Sequence, residues 1–461
     1  MSTTNDARAL RFPAGFWWGT ATAGHQVEGD NRHSDWWAWE QRPGWVKDGR
    51  PSGAACDAWG RYAEDFAWIA AQGHTGYRLG IEWARLEPRP GRPDEEALTR
   101  YQAMLADLRR RGVRVCLTLN HWVLPRWFAD RGGWLAADAL DRWERLLRWV
   151  IPPLAPHVDL WITLNEPMVP ALVGHLLAYH PPCEASPRRC ARVFGRLLRA
   201  HALAYRLIHE LAPARGPRPQ VGYAAAVQQV EPFHQRGWRA RLERPLARLF
   251  ARTSFGAWEE SVATGRVAPP FGWGQRVPDP EGSLDFVGLN YYMRVSVRLA
   301  LDTLANVKAG QFAAPDGVET TQMGWQVHPP GFGQVLRQAR DRFGLPIYVT
   351  ENGCATDDDA QRRRYLVTHL AELHRAIQSG CDVRGYMHWS LMDNFEWREG
   401  YAKRFGLVEV DRSDPALTRR PRPSAALLGE VARANALSGD AVARYAPDAR
   451  AAWEAAGPTA S

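Results

Sequence analysis

Several things are scarce in this chain of 461 residues, and each scarcity excludes something. There are six cysteines, Cys56, Cys116, Cys183, Cys190, Cys354 and Cys381, with neither a CxxC pair nor an evenly spaced framework. That argues against a disulfide-stapled scaffold and against a zinc ribbon. No apolar run reaches the roughly 18 residues that a membrane span needs. The opening MSTTNDARAL lacks the apolar stretch of a secretion signal, so a cytoplasmic protein without a membrane partner is expected. Lysine is nearly absent: Lys47, Lys308 and Lys403 are all there are, and the net charge of +8 is carried by arginine. Long basic runs are missing too. The triplets RRR at 109–111 and 362–364 fall inside candidate helices and read as solvated faces, so no nucleic-acid partner is expected. HExxH, GxGxxG and the P-loop do not occur, and the 14 histidines show no ligand spacing. Neither a metal nor a cofactor is expected. No linker or internal repeat divides the chain, and oligomeric state is left open.

What is present is an alternation. Eight short, β-rich apolar runs lie at 16–23, 76–83, 113–122, 158–167, 220–227, 284–292, 346–353 and 383–391. They are apolar on both sides, as buried parallel strands are. Amphipathic helices fill the gaps. Leu98, Tyr101, Leu105 and Leu108 follow helical spacing before Gly112, and Leu366, Leu370, Leu373 and Ile377 do so between the Asp run at 357–359 and Gly380. Eight strand-then-helix units close as an α/β fold, a single (β/α)8 TIM barrel. The expected organisation is a flexible N-terminus (1–10), the barrel (11–435) and a loosely packed Ala-rich C-terminal tail (436–461). Segments 29–56, 168–192, 228–245 and 293–325 read as long loops at the C-terminal face, where such a barrel builds its site.

Five of the runs end in polar clusters: Asn120–His121, Asn165–Glu166, Asn290 with Tyr292, Glu351–Asn352 and His388–Trp389. Glu166 and Glu351 follow the fourth and seventh runs. A lone Glu is usually a surface or salt-bridged residue. Two at matching barrel positions suit the cleavage of a glycosidic bond, in which one carboxyl protonates the leaving oxygen and the other attacks carbon or activates water. The 22 tryptophans exceed what a core needs, and a sugar cleft is one place where a flat apolar face with a polar edge is useful.

The motifs now carry a resemblance. FPAGFWWGTATAGHQVEG (12–29), TLNEP (163–167), LNYY (289–292), VTENG (349–353) and WSLMDNFEW (389–397) with GYAKRFGL (400–407) occur in order. Together they resemble glycoside hydrolase family 1 from about residue 10 to 430. The resemblance implies a retaining β-glycosidase acting on a small β-glycoside or oligosaccharide, with Glu351 as nucleophile and Glu166 as acid/base. It implies Asn165 on the 2-hydroxyl, and Gln26, His121, Glu396 and Trp397 on other hydroxyls. Trp389 would lie beneath the sugar ring, and Arg78 and Tyr292 beside Glu351. Asn290 would support the pair. Relatives that act on 6-phosphorylated sugars carry a Ser near Glu396 and a downstream Tyr where Phe405 stands, so a non-phosphorylated sugar is expected. His25, NHWVLP (120–125) and MVPALVGH (168–175) depart from the family pattern near the pocket and blur its preference. A transglycosylase would keep all these residues; a non-catalytic sugar-binding relative would usually lose one carboxylate.

Overall fold

Each of the eight apolar runs becomes a parallel strand. They are β1 (Trp17–Ala21), β2 (Gly76–Gly80), β3 (Arg114–Thr118), β4 (Leu160–Asn165), β5 (Gln220–Pro232), β6 (Val287–Val297), β7 (Ile347–Asn352) and β8 (Val383–Trp389). In this computed structural model, which describes residues 9–212, 218–277, 282–300 and 313–457, they close in chain order into a barrel. Residues 1–8 of the segment expected to be flexible lie outside the described set. The barrel floor is plugged by aromatic side chains: Tyr348 meets Trp17 at 5.6 Å and Phe286 at 5.2 Å, both edge-on. Gly385 makes room for the plug, since a Cβ there would stand 2.8 Å from Trp17 Cβ and 2.9 Å from Tyr348 Cδ1.

The helices form for local reasons. In α1 (Glu95–Arg110), Asp94 Oδ1 accepts the Ala97 N–H at 2.9 Å. Glu95 and Glu96 occupy the first turn and Arg109 and Arg110 the last, charges that complement the helix dipole. Its buried stripe includes Leu98, Tyr101, Leu105 and Leu108, as the spacing demanded. The long loops expected at 228–245 and 293–325 are partly something else. β5 and β6 run on to Pro232 and Val297, and the chain then forms α2 (Gly237–Ala251); residues 301–312 are outside the described set. The strands extend because they pair with each other above the barrel, where Gln229–Pro232 lie in register with Arg294–Val297. In α3 (Asp359–Gln378), Asp358 Oδ1 caps the Ala360 N–H at 2.9 Å. Gly380, just beyond, has φ of 91°, the left-handed geometry that ends helices.

Two expectations are corrected. Arg362 is not part of a solvated face but is wholly buried. Its guanidinium donates to the carbonyls of Thr356 (2.6 Å) and Arg404 (2.9 Å) and pairs with Asp359 at 2.9 Å, stitching two loops to the start of α3. The tail expected to be loose is packed through residue 457. After α4 (Pro423–Ala434), the strand Ala436–Leu437 pairs with Leu10–Arg11, and α5 (Gly439–Tyr445) and α6 (Arg450–Ala456) follow. Leu10, assigned to the flexible end, is therefore buried. Alanine is the best helix former and lets helices approach closely, so Ala-rich composition here signals packing. Trp453 anchors the tail, 5 % exposed, its indole N–H donating to the Leu437 carbonyl at 2.9 Å.

Candidate active site

Strand alternation is broken where the chemistry lies. On β7, Ile347 and Val349 face the surrounding helices and Tyr348 faces the barrel interior. Strict alternation would turn Glu351 outward with Val349. The register instead shifts between Leu289 and Asn290 against β6, and between Val349 and Asn352 against β8. A similar shift separates Ile162 from Asn165 on β4. Such bulges re-aim side chains, and here they point Asn165, Asn290 and Glu351 into one pocket.

Glu351 is held from two sides. Arg78 Nη1 donates to its Oε1 at 2.6 Å, and the Tyr292 hydroxyl donates to its Oε2 at 2.6 Å. Arg78 is fully buried on β2. It is aimed by Thr118 Oγ1 (3.0 Å to Nε) and also donates from Nη2 to Asn165 Oδ1 at 2.6 Å. Burial raises the Glu351 carboxyl above its ordinary range, while Arg78, Tyr292 and Asn290 oppose that rise. Among the described residues Glu166 has no ion pair, and the Arg78 charge is the smallest of the influences on it. Asn290 Nδ2 donates to its Oε1 at 2.8 Å, and Thr350 Oγ1 holds Asn290 through its Oδ1 at 2.6 Å. Burial, then the charge of Glu351, push Glu166 up to about 8. Of the two, Glu351 ionises first and Glu166 keeps its proton at neutral pH.

Asn165 Oδ1 accepts from Arg78 and, at 3.1 Å, from Asn290. Its Nδ2 therefore faces His121 Nε2, at 2.9 Å. An amide donor at Nε2 fixes that nitrogen as the acceptor, so the neutral ring carries its proton on Nδ1. Burial, followed by the Arg78 charge, holds His121 well below the usual imidazole range and keeps it neutral. Gln26 Nε2 donates to the Phe395 carbonyl at 2.8 Å, with Asn394 and Glu396 at 3.2 and 3.4 Å. Gln26 Oε1 and His121 Nδ1 have no partner among the described residues. Glu396 opens on the cleft yet is hemmed in by protein; desolvation, then Glu399, Glu351 and Glu166, raise it to about 8.

Aromatic rings form the walls. His121 stacks on Trp389 (6.0 Å) and on Trp397 (5.9 Å). Phe405 meets the Tyr292 ring edge-on at 5.9 Å, fixing the phenol that reaches Glu351. Trp122, Glu166 and Trp397 have φ of 70°, 42° and 50°. Non-glycine residues are rare there, and such strain gathers at functional sites. All twelve residues expected in the site sit at or beside this cleft. Three strand-end neighbours do not contribute to it. Asn120 bonds the Val123 carbonyl, Asn352 turns out to Tyr365 on α3, and His388 contacts Tyr386.

The sequence reading missed the supporting shell. Thr118, Thr350 and Asn394 aim the charged and amide groups, Trp122 donates from Nε1 to the Asn165 carbonyl at 3.0 Å, and Trp325 packs on Tyr292 at 5.4 Å. Threonines inside apolar strands carry no signal of such a role. His25, a departure from the family pattern, lies beneath Trp397 (5.9 Å, nearly parallel). There it joins Glu40, Asn31 and Glu82 in a buried polar cluster. Among the described residues no group of His, Cys, Asp and Glu could hold a metal ion.

Comparisons with known proteins concern the chain as a whole. A model of glycosyl hydrolase family 1 matches residues 8–437. Beta-glucosidase A of Thermotoga maritima is 34% identical over 426 residues, 87% of this chain and 94% of that protein. A beta-galactosidase of Sulfolobus acidocaldarius is 31% identical over 497 aligned positions, 93% of this chain and 96% of that protein. The solved family 1 β-glucosidase of Thermotoga maritima in complex with isofagomine lactam superposes with a TM-score of 0.85 at 31% identity, covering 93% of this chain and all (100%) of that one.

Proposed function

The chain belongs to glycosyl hydrolase family 1 and is a glycoside hydrolase, and on that premise we propose that it is a retaining β-glycosidase working through a covalent glycosyl-enzyme. One observation carries the reading. Two carboxyls share a pocket in environments that push their proton affinities apart, Glu351 against Arg78 and Tyr292, Glu166 against an amide. That division assigns nucleophile and acid. Glu351 attacks the anomeric carbon; the bond to the leaving oxygen breaks as Glu166 protonates it. Esterification removes the Glu351 charge, one of the two influences that hold the Glu166 proton. Glu166, now more acidic, is left as a carboxylate that takes a proton from water. The resulting hydroxide bonds to the anomeric carbon and frees Glu351. Asn165 Oδ1 accepts from Arg78, which holds Glu351, and from Asn290, which holds Glu166, so one short chain of hydrogen bonds ties the two carboxyls together; the retaining outcome proposed here calls for a separation of ~5–5.5 Å.

The sugar proposed is a terminal, non-phosphorylated β-D-glucosyl unit, with galactosides and fucosides also accepted. Gln26 Oε1 and His121 Nδ1, which have no partner among the described residues, can each pair with a sugar hydroxyl. In this reading Asn165 takes the 2-hydroxyl, Glu396 and Trp397 take further hydroxyls, and Trp389 takes the ring face. A phosphate would meet Glu396, and Lys403 is already committed to the Gln322 carbonyl at 2.6 Å. The β-glucosidase and β-galactosidase among the relatives support this range. Proton NMR of a nitrophenyl β-glucoside digest tests the mechanism: the first-formed sugar should be the β-anomer. Glu351→Ala should abolish turnover, and azide should restore part of it with α-glucosyl azide as product. A first-formed α-anomer from the native enzyme refutes the proposal.

A further inference from the structure

α2 is built inside out for a surface helix. It packs on the extended ends of β5 and β6 at the catalytic rim, and its buried positions are only Ala240, Glu243 and Ala247. At 100° per residue, Trp238, Leu242, Leu246 and Leu249 fall on the opposite arc, 67, 48, 38 and 58 % exposed. They are four of the six large apolar side chains so widely exposed among the described residues. A fifth, Leu299, is 57 % exposed and sits beside the helix, its N–H donating to Glu243 Oε1 at 3.1 Å. On the same wheel Arg241 and Arg248 border the apolar stripe on one side. Arg239 borders it on the other, its guanidinium 5.4 Å from the Trp238 ring. Elsewhere arginines pair readily with acids along their helices, as Arg142 does with Asp138 and Arg148 with Glu144. These three have no ion pair among the described residues.

A helix in contact with water normally turns its apolar arc inward. Here the arc is turned away from the barrel and out to solvent, flanked by cations whose long stems can reach past it. We propose that α2 is an interfacial helix that lies flat on an anionic lipid surface, its Trp and Leu side chains at the acyl boundary and its arginines on the headgroup phosphates. The expectation of no membrane partner rests on the lack of a spanning run, and among the described residues no helix is long and apolar enough to cross a membrane. A helix lying flat needs no such run. A second copy fits the face poorly. Pairing two such helices sets arginine rows against each other, and one 15-residue helix offers less than the ~1,200 Å² of a stable interface.

The test is flotation of the full chain with vesicles, scored by nitrophenyl glycosidase activity in each fraction. The enzyme should float at low salt with equal parts phosphatidylcholine and phosphatidylglycerol, and less with phosphatidylcholine alone or at high salt. Arg241→Gln with Arg248→Gln should weaken binding roughly 30-fold, about fivefold for each arginine near an anionic surface. Leu242→Glu with Leu249→Glu should abolish flotation and leave turnover of the soluble substrate unchanged, which also reports that the variant folds. Failure of the native enzyme to float, equal flotation on both lipids, or variants that float as well as native would overturn the proposal. So would a dimer in sedimentation that the leucine variant dissolves, which would assign the face to a second copy.

Discussion

Replacing Tyr292 by Phe removes one hydroxyl and little else, and the structure sets the consequence. That hydroxyl donates to Glu351 Oε2 at 2.6 Å. A hydrogen bond to a charged group contributes about 1.5–3 kcal/mol, and one pKa unit corresponds to about 1.4 kcal/mol. The loss should raise the Glu351 pKa by about one to two units. The ring should stay in place, since Trp325 at 5.4 Å and Phe405 at 5.9 Å hold it by contacts the hydroxyl does not make. The readout is kcat/KM for a nitrophenyl β-glucoside against pH, which reports groups in the free enzyme. The acid limb should move up by one to two units. The alkaline limb, set by Glu166 at about 8, should move far less. The optimum narrows from its acid side, and rates on that limb fall about tenfold for each unit. An acid limb that stays in place, with the fold intact by circular dichroism, would refute the claim that Tyr292 holds Glu351 ionised.

Other outcomes follow from neighbouring groups. Glu166→Ala should cost little on substrates with good leaving groups such as dinitrophenol and several orders of magnitude on alkyl glycosides; equal losses would remove Glu166 as the acid. Glu396→Gln should weaken sugar binding, seen as a raised KM, yet stabilise the protein at alkaline pH. Its folded-state pKa is raised to about 8, so the fold binds this proton more tightly than the unfolded chain does. The native protein therefore loses stability as pH rises from ~4.5 toward 8. Chemical denaturation should find the variant's advantage absent at pH 4 and as much as a few kcal/mol at pH 9, reduced by whatever cleft water screens. Trp453→Ala should cost about 3–5 kcal/mol and lower the Tm by several degrees without changing KM; an unchanged Tm would mean that the tail contributes nothing to the barrel.

Sequence alone determined the barrel, because its signal is local. A short run apolar on both sides suits a strand covered on both sides, and eight of them alternating with amphipathic helices are the number that closes a barrel. It also nominated candidate residues for the cleft, from polar clusters at the ends of those runs and from a family resemblance. What it left undecided were matters of direction. Asn352 and His388 are as polar and as near a strand end as Glu351 and Trp389, yet they turn away from the pocket, because bulges at Leu289/Asn290 and Val349/Asn352 set which side chain points in. A bulge depends on the partner strand, which is far away in the chain. The same holds for Arg362, whose burial depends on loop carbonyls from Thr356 and Arg404, and for the C-terminal alanines, whose packing depends on a partner strand at Leu10–Arg11. The threonines that aim Arg78 and Asn290 were invisible for this reason as well. A hydroxyl inside an apolar strand acquires a role only when tertiary structure brings a guanidinium or an amide within 3 Å of it.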